Sequence, residues 1–302
     1  MKFTLHFIRP LLVAQVMFSG FTAAAQGISI PDPGLNAAVR QTLQKPNGQL
    51  SLQDLLSLTN LDASRRSVSS LEGLQAALNL TVLNLQFDNL TTLSFPSGLT
   101  KLRVLDLSFN PLTNCVFPLG LTNLAELNIE ETRLTSLTLP PDVTHLTSLD
   151  LFGNRLTNMA FPAGLVRLDF LDLSENQLAR LTLPPDMTNL TTLFLNGNPL
   201  ETVVLPEPLA AINLAELVTS LFDQRISVFT YPLAPQMIAP RARGGIFQFA
   251  VAGPHGVYVV LASTNLVDWS DLAVSTNEIG FFRFEDESAR FSLQKYYRAR
   301  SF

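Results

Sequence analysis

The chain has 302 residues, of which 47% are hydrophobic and 15% are charged, and its formal net charge is −5 at pH 7. This acidic balance disfavours nucleic acid as a partner, because affinity for nucleic acid comes mainly from Lys and Arg side chains that neutralise phosphates. A single cysteine excludes an intramolecular disulfide, so the fold depends on packing alone. The length has room for one elongated domain and a small second one.

The first 25 residues have the features of a secretory signal peptide. Lys2 and Arg9 give a positive start, residues 11–18 are mainly apolar, and residues 23–25 form a small-residue cleavage site. The alternative is a transmembrane helix, but the apolar run is shorter than the roughly 20 residues that a span needs. We therefore predict export to the medium or the cell surface, with a mature chain that begins near Gln26 and contains no membrane span.

Residues 26–60 are predicted to form a helical N-terminal cap. Residues 33–44 place apolar side chains at helical spacing behind a proline. Ser51 followed by Asp54 has the spacing of a capping box and predicts a second short helix. Such a cap would cover the open apolar end of the first repeat.

A pattern that recurs every 22 residues occupies the middle of the chain. Its first tight unit is Leu80, Leu83, Leu85, Asp88 and Leu90, and five more units follow without an insertion. Weaker units begin at Leu58 and Ile212, as a stacked array needs at its ends. Alternation within each unit predicts a short strand with inward leucines, and stacking of the units predicts a parallel sheet.

This LxxLxLxxNxL pattern resembles the leucine-rich-repeat family, specifically the short 22-residue type of bacterial internalins. The resemblance implies a repeat solenoid, and residues 30–61 resemble the helical cap of internalin-type proteins. The second half of the units has a Phe-Pro form at residues 95, 117 and 161 and a Leu-Pro-Pro form at 139 and 183, and the two forms alternate from residue 117 onward. Because proline fixes φ and lacks an N–H donor, we expect a mostly non-helical convex side.

The turn after each strand is predicted to be held by an Asn side chain. An Asn amide both donates and accepts hydrogen bonds, so it can satisfy backbone groups that a tight bend leaves unpaired. Asp88 and Thr132 replace Asn in two units. We expect these two turns to be held less tightly. Cys115 occupies an apolar position of the convex side and is predicted to be a buried hydrophobic residue.

The period ends after the repeats, which are assigned to residues 61–223. A linker at 224–240 and a small β domain at 241–302 are predicted to follow. Five strand-like runs occur in this domain, at 246–251, 257–262, 272–275, 281–284 and 295–299. Residues 262–269 and 296–298 resemble a small C-terminal β domain of secreted proteins of environmental bacteria. Trp269 is predicted to anchor its core.

Catalytic signatures are missing from the sequence. His145 and His255 are the only histidines after the predicted signal peptide, and no HExxH, GxSxG, P-loop or GxGxxG string occurs. Asp150 and Asp172 should lie side by side on neighbouring strands, as a glycosidase pair would need. An open sheet offers such a pair no enclosure, so a solvated acidic face is favoured. We predict neither an enzyme nor a metal or cofactor site.

A partner-binding surface is predicted on the concave sheet instead. Aromatic anchors commonly dominate interface energies, and three phenylalanines should point outward beside acidic side chains. The candidate residues are Phe152, Phe170, Phe194, Asp150, Asp172 and Glu130. The alternative is that a flanking element such as the C-terminal domain covers the three aromatic rings.

Two functions remain open at this point. The first is a secreted or surface-exposed protein that binds a protein or a glycan through the concave sheet. The second is a structural protein of the envelope or matrix, in which the C-terminal domain provides attachment or assembly. Release of the intact chain into the medium would favour the first.

Overall fold

The computed structural model describes residues 27–291 and 294–301. The predicted signal peptide lies outside these residues. The described chain forms a leucine-rich-repeat solenoid with a helical cap at its N-terminal end, followed by two small antiparallel sheets. The predicted fold class is therefore confirmed.

The N-terminal cap contains helices α1 (Pro33–Thr42) and α2 (Leu52–Ser57). Asp32 caps α1 by accepting a hydrogen bond from the backbone N–H of Leu35. Its other oxygen accepts hydrogen bonds from the backbone and hydroxyl of Ser69, which attaches the cap to the first repeat. The capping box predicted for α2 is present.

Twelve short strands build the solenoid and its end. They are β1 (Asn60–Asp62), β2 (Val82–Asn84), β3 (Thr92–Ser94), β4 (Val104–Asp106), β5 (Asn114–Val116), β6 (Glu126–Asn128), β7 (Ser148–Asp150), β8 (Phe170–Asp172), β9 (Arg180–Thr182), β10 (Thr192–Phe194), β11 (Thr202–Pro206) and β12 (Ser227–Tyr231). The concave sheet is parallel and has the order β1-β2-β4-β6-β7-β8-β10. Each residue pairs with the one 22 positions later, so Leu83 lies beside Leu105 and Leu105 beside Leu127. These leucines are buried, which leaves their neighbours on the strands to face outward.

The convex side consists of short strands and turns. β3 pairs with β5, and β9, β11 and β12 form a second parallel group. Between residues 92 and 206, all of which are described, the chain forms no α-helix. Asp142 and Asp186 of the Leu-Pro-Pro units accept hydrogen bonds from the backbone N–H groups of Gly120 and Gly164 in the preceding Phe-Pro units. The alternation of the two forms thus couples neighbouring repeats. Cys115 is buried there, as predicted.

A helix closes the C-terminal end of the solenoid. The weak unit at 212–222 was predicted to form one more repeat, and this prediction is wrong. A π-helical turn at Leu209–Asn213 and helix α3 (Ala215–Asp223) occupy the segment. Since this last position has no further coil to stack against, Leu209, Leu214 and Leu221 cover the core from the helical side.

Six strands follow in two antiparallel sheets of three. They are β13 (Gln236–Arg243), β14 (Ile246–Ala252), β15 (Gly256–Ser263), β16 (Ser270–Asn277), β17 (Phe281–Asp286) and β18 (Tyr296–Ser301). The sheets have the orders β13-β14-β17 and β16-β15-β18. β12 and the start of β13 fall within the predicted linker, and the division into domains stays a prediction. Four side chains form the buried core, namely Phe249, Val251, Tyr258 and Val260.

Trp269 lies outside this core, so its prediction as the core anchor is wrong. Its ring is half-buried beside a turn, with its Nε1 donating to the carbonyl of Leu266 at 3.1 Å. The guanidinium of Arg298 lies 4.3 Å from the ring centroid. The aromatic rings of the central strands fill the small core and leave the indole at the edge.

Tyr231 joins the end of the solenoid to the β sheets. Its side chain is fully buried, and its hydroxyl donates to the carbonyl of Leu183 at 2.6 Å on the convex side. The ring of Phe229, on the same strand, lies 6.5 Å from that of Phe281 on β17. No helix among residues 27–291 and 294–301 is long and apolar enough to cross a membrane.

Candidate functional site

We call the exposed surface of the concave sheet the floor. It is formed by the outward side chains of the concave strands, such as Asp150, and by the residue two positions after each strand, such as Phe152. Five of the predicted binding residues lie on the floor of neighbouring strands β7, β8 and β10, and Glu130 lies one repeat earlier. Asp150 pairs in register with Asp172, as predicted from the 22-residue spacing. The structure therefore brings the acidic candidates into adjacent rows.

The aspartates of the floor also hold the backbone in place. The carboxylate of Asp150 accepts a hydrogen bond from the backbone N–H of Phe152 at 3.0 Å. Asp172 accepts one from Ser174 at 2.8 Å, and Asp106 one from Ser108 at 3.0 Å. Each bond engages one carboxylate oxygen and fixes the direction in which the side chain points. The sequence alone did not indicate this second role.

The carboxylates of the floor interact electrostatically with one another. Burial raises the pKa of Asp150, and repulsion from Asp172 and Asp106 raises it further. Burial also raises the pKa of Glu130, to which repulsion from Asp150, Asp106 and Glu131 adds. Because like charges in adjacent rows disfavour each other's ionised form, the floor is a region of concentrated negative potential. A cation that approaches this region would relieve the repulsion.

The aromatic candidates lie next to this acidic region. The rings of Phe170 and Phe194 are 5.9 Å apart between centroids and meet edge to face, at 69°. Phe194 is 43% exposed, whereas Phe170 and Phe152 are half-buried. The contacts between the solenoid and the C-terminal strands described above lie on the convex side. The alternative of a C-terminal domain folded over these rings therefore does not apply to Phe194.

Metal-binding geometry is not found in the described residues. Within residues 27–291 and 294–301, no three His, Cys, Asp or Glu side chains are grouped so that they could hold a metal ion. The carboxylates of the floor lie in rows along an open sheet. Their arrangement can attract and orient a positively charged surface.

Sequence reasoning missed a second group of residues at the edge of the floor. Arg65, Phe87 and Phe109 are spaced by 22 and stack on one another, with Phe87 37% and Phe109 38% exposed. The same 22-residue period would have identified them if it had been applied to the position before the Asn of each turn. That position is not part of the template, which describes only leucines and Asn.

Comparison with known proteins agrees with this architecture. A family model described as Leucine Rich Repeat matches residues 101–124. An internalin (inlF) from Listeria monocytogenes is 24% identical, with a TM-score of 0.48, and the match covers 58% of this chain and 62% of that protein. Internalin C2 from the same species is 30% identical, with a TM-score of 0.48, and the match covers 60% of this chain and 89% of that protein.

YopM from Yersinia enterocolitica is 27% identical, with a TM-score of 0.33, and the match covers 52% of this chain and 40% of that protein. No curated protein matches the chain. The chain spans less than two thirds of the length of the first internalin. The 22-residue register, the parallel sheet that it builds and the match to the Leucine Rich Repeat model show that the chain is a leucine-rich-repeat protein, similar in sequence to internalins.

Proposed function

We propose that the chain is a secreted or surface-exposed protein-binding module that uses the floor of its concave sheet. The observation that supports this proposal is the pair Phe170 and Phe194, which lies beside the coupled carboxylates Asp150, Asp172 and Glu130. Solenoids of this kind use extended concave surfaces for binding. Exposed aromatic rings beside desolvated charges are the elements from which interface hot spots are built.

The sheet supports binding because it is rigid before the partner arrives. Asn176 donates from Nδ2 to the carbonyls of Leu151 and Leu173, and its Oδ1 accepts from the N–H of Leu156 at 3.0 Å. Asn198 and Asn154 bridge their neighbouring repeats in the same way. A surface fixed in this way loses little conformational entropy on association.

The charge of the floor selects the partner. Burial and repulsion between neighbouring carboxylates raise the pKa of Asp150 and of Glu130, so a positively charged contact surface gains Coulomb energy there. The aromatic pair adds an apolar contact at one end of the rows. We therefore expect a protein partner with a patch of Lys or Arg side chains next to an apolar side chain.

The test compares removal of the ring pair on the floor with removal of an exposed phenylalanine ring elsewhere. The double variant Phe170→Ala/Phe194→Ala removes the ring pair, and Phe222→Ala removes a 57% exposed ring on α3, away from the sheet. The full chain is first used as bait to capture a partner from the surface proteins and glycans of its native surroundings. The Kd of the captured partner is then measured by calorimetry. We expect the double variant to lose at least about tenfold in affinity and Phe222→Ala to lose none.

Unchanged affinity of the double variant for the captured partner would contradict the proposal. A captured glycan rather than a protein would contradict the choice of partner class. Both variants should keep the far-UV circular dichroism spectrum of the parent, since Phe194 and Phe222 are exposed and Phe170 is half-buried.

A structural role in the envelope or matrix is the second candidate. The observation that favours it is β13, an edge strand whose residues are all exposed and include Met237 and Ile238. Unpaired strand edges are templates for pairing with another chain. Cell fractionation tests this second candidate, because release of the intact chain into the medium would favour the binding module over a structural protein.

A further inference from the structure

A cationic and aromatic strip runs along one side of the floor. We call it the rim and define it by Arg65, Phe87, Phe109, Arg133 and Arg155. The first three precede the Asn position of their repeats, and the last two follow it by one residue. The rim thus crosses five consecutive repeats at the end of the concave strands.

The backbone of the rim adopts a conformation that suits glycine. The φ angles of Arg65, Phe87 and Phe109 are 57°, 57° and 56°, in the left-handed region. The equivalent position two repeats after Phe109 is Gly153, with φ 68°. A bulky side chain at positive φ is strained, whereas glycine is not. Glu131 and Glu175 also occupy this position at positive φ, so the turn accepts several side chains and does not itself require the two phenylalanines.

The rings and the guanidinium form one continuous stack. The guanidinium of Arg65 lies 3.8 Å from the centroid of the Phe87 ring. The rings of Phe87 and Phe109 are 4.3 Å apart and nearly parallel, at 2°. Beyond Phe109 the next residue in the column is Glu131, whose carboxylate lies against Gly153 instead of on the ring.

An open groove begins at this end of the stack. It has a volume of about 690 Å³ and is lined by Phe87, Phe109, Glu131, Arg133 and Arg155, among others. This volume lies within the range of roughly 300 to 1,000 Å³ that is usual for ligand-binding clefts. The stack thus ends in an aromatic surface, and the groove continues from that surface across the next two repeats.

Charge distinguishes the rim from the floor. Arg133 and Arg155 are exposed, and within the described residues neither side chain forms a hydrogen bond or an ion pair. Glu131 is the one acidic side chain that lines the groove. The floor beside it carries the coupled carboxylates Asp106, Glu130 and Asp150. A ligand of the rim must therefore be negatively charged, in contrast to the positive surface that the floor selects.

We propose that the rim binds an extended acidic peptide segment of a protein partner. An apolar or aromatic side chain of the segment packs on the edges and the free face of the Phe87 and Phe109 stack. Its carboxylates pair with the guanidinium groups of Arg133 and Arg155, which can each hold a carboxylate through two parallel hydrogen bonds. This inference rests on the proposed protein-binding function and adds a second subsite of opposite charge, which fixes the orientation of the partner.

The test uses the full chain and a labelled synthetic peptide of repeated Glu-Glu-Phe, with Lys-Lys-Phe and Gln-Gln-Phe peptides for comparison. Binding is measured by fluorescence anisotropy. We expect the Glu-Glu-Phe peptide to bind at least about tenfold more tightly than the neutral Gln-Gln-Phe peptide. The preference should weaken between about 0.05 M and about 0.5 M salt, because exposed charges are screened. The Lys-Lys-Phe peptide has the charge that the floor selects, so any binding of it should be lost in Phe170→Ala/Phe194→Ala.

Two sets of variants locate the site. Arg133→Glu/Arg155→Glu should lose the Glu-Glu-Phe peptide by at least about tenfold and gain affinity for Lys-Lys-Phe. The control Arg167→Glu/Arg180→Glu has the same change of charge at exposed arginines outside the rim and should bind as the parent does. Phe109→Gly should also lose the peptide, and it should stay folded because glycine adopts φ 56° without strain.

Equal binding of the Glu-Glu-Phe and Gln-Gln-Phe peptides would overturn the proposal. So would an arginine control that loses the Glu-Glu-Phe peptide as much as the rim variant, since net charge alone would then explain the effect. The floor variant Phe170→Ala/Phe194→Ala should keep the peptide. If this variant loses the captured partner but still binds the peptide, the two surfaces act separately. A failure of the floor proposal can then be told apart from a failure of the rim proposal.

Discussion

The solenoid and the C-terminal sheets bury polar side chains in different ways. In the solenoid, Asn154 donates from Nδ2 to the carbonyl of Ile129 at 2.7 Å, and its Oδ1 accepts from the N–H of Leu134 at 3.1 Å. In the C-terminal sheets, the carboxylate of Asp286 lies 2.7 Å from Nζ of Lys295 and accepts from the hydroxyl of Tyr297 at 2.8 Å. A neutral amide does not titrate, whereas a buried ion pair depends on pH.

One repeat has an aspartate where its neighbours have asparagine, and the difference shows what the asparagine amide contributes. Asp88 occupies the position of Asn110 and accepts from the N–H groups of Arg66 and Val68. Its second oxygen is buried without a hydrogen-bond partner, where Asn110 donates to three carbonyls. Burial raises the pKa of Asp88. A carboxylate can satisfy the donors of this turn but not its acceptors.

The largest effect is expected from Asn154→Ala. The substitution removes bonds to Ile129, Leu151 and Leu134 and leaves buried backbone groups without partners. We expect the free energy of unfolding of the solenoid to fall by about 3 kcal/mol. Chemical denaturation followed by far-UV circular dichroism measures it, with exposed Asn158→Ala as the control. Equal stability of the two variants would show that the amide network contributes little.

Asp286→Asn is expected to have the next largest effect, within the C-terminal sheets. It leaves the ammonium group of Lys295, which is 14% exposed, without its counter-charge. We expect a loss of about 2 kcal/mol in the stability of these sheets. Trp269 is the only tryptophan, so its fluorescence reports on this part of the chain. A stability loss seen equally in the solenoid signal would contradict the separation of the two regions.

The pH dependence of Asp286 gives a second measurement of the same site. Burial alone would raise its pKa, but hydrogen bonds from Lys295, Ser288 and Tyr297 lower it to about 2, against 3.8 for the free group. Because the folded pKa lies below the unfolded one, the stabilisation is present above pH 4 and is lost as the pH falls towards 2. The Asn variant should lack this acid limb in Trp269 fluorescence.

Asp88→Asn is expected to stabilise the solenoid by about 1 kcal/mol, because the new amide can donate where the carboxylate has no partner. Its folded pKa is raised, so the stabilisation that Asp88 provides when protonated is lost as the pH rises. The gain from the substitution should therefore be larger at neutral pH than in acid. Amide exchange at Val68 measures the effect locally, and exchange as slow in the parent as in the variant would contradict it.

The smallest effect is expected from Asp150→Asn on the floor. The amide oxygen can keep the bond from the N–H of Phe152, and the repulsion from Asp172 and Asp106 is relieved. We expect a gain of about 0.5 kcal/mol at neutral pH that disappears in acid, since the raised pKa of Asp150 makes its own contribution fall as the pH rises. Thermal unfolding at two pH values measures it, and a loss of stability would show that the carboxylate is favourable in place.

The solenoid was predictable because its period is carried by buried leucines. Leu83, Leu105 and Leu127 repeat every 22 residues and pair in register, so counting along the sequence also gives the sheet. The segment that forms α3 misled the same method. Ile212, Leu217 and Phe222 fit the repeat template. Leu214, Leu217 and Leu221 are spaced by three and four, as in a helix. The repeat period and the helical period overlap in this segment, and the chain forms the helix.

The rim and part of the C-terminal sheets were not predictable from residue type. The column of Phe87 and Phe109 depends on a left-handed backbone conformation that a leucine template does not describe. β13 was assigned in part to a linker because it contains Pro240. The strand tolerates this proline because it lies at an edge and its register shifts between Ile238 and Arg241.

The hydrogen bonds between the Phe-Pro and Leu-Pro-Pro units limit which changes in the length of the repeat array keep its contacts intact. Gly120 donates to Asp142 and Gly164 to Asp186, so these repeats are joined two by two on the convex side. Deletion of one 22-residue coil from this region would bring two like units together and separate a glycine from its aspartate. Loss or duplication of the 44 residues of one Phe-Pro and one Leu-Pro-Pro unit would keep each glycine paired with an aspartate, so two coils form one structural unit in this region.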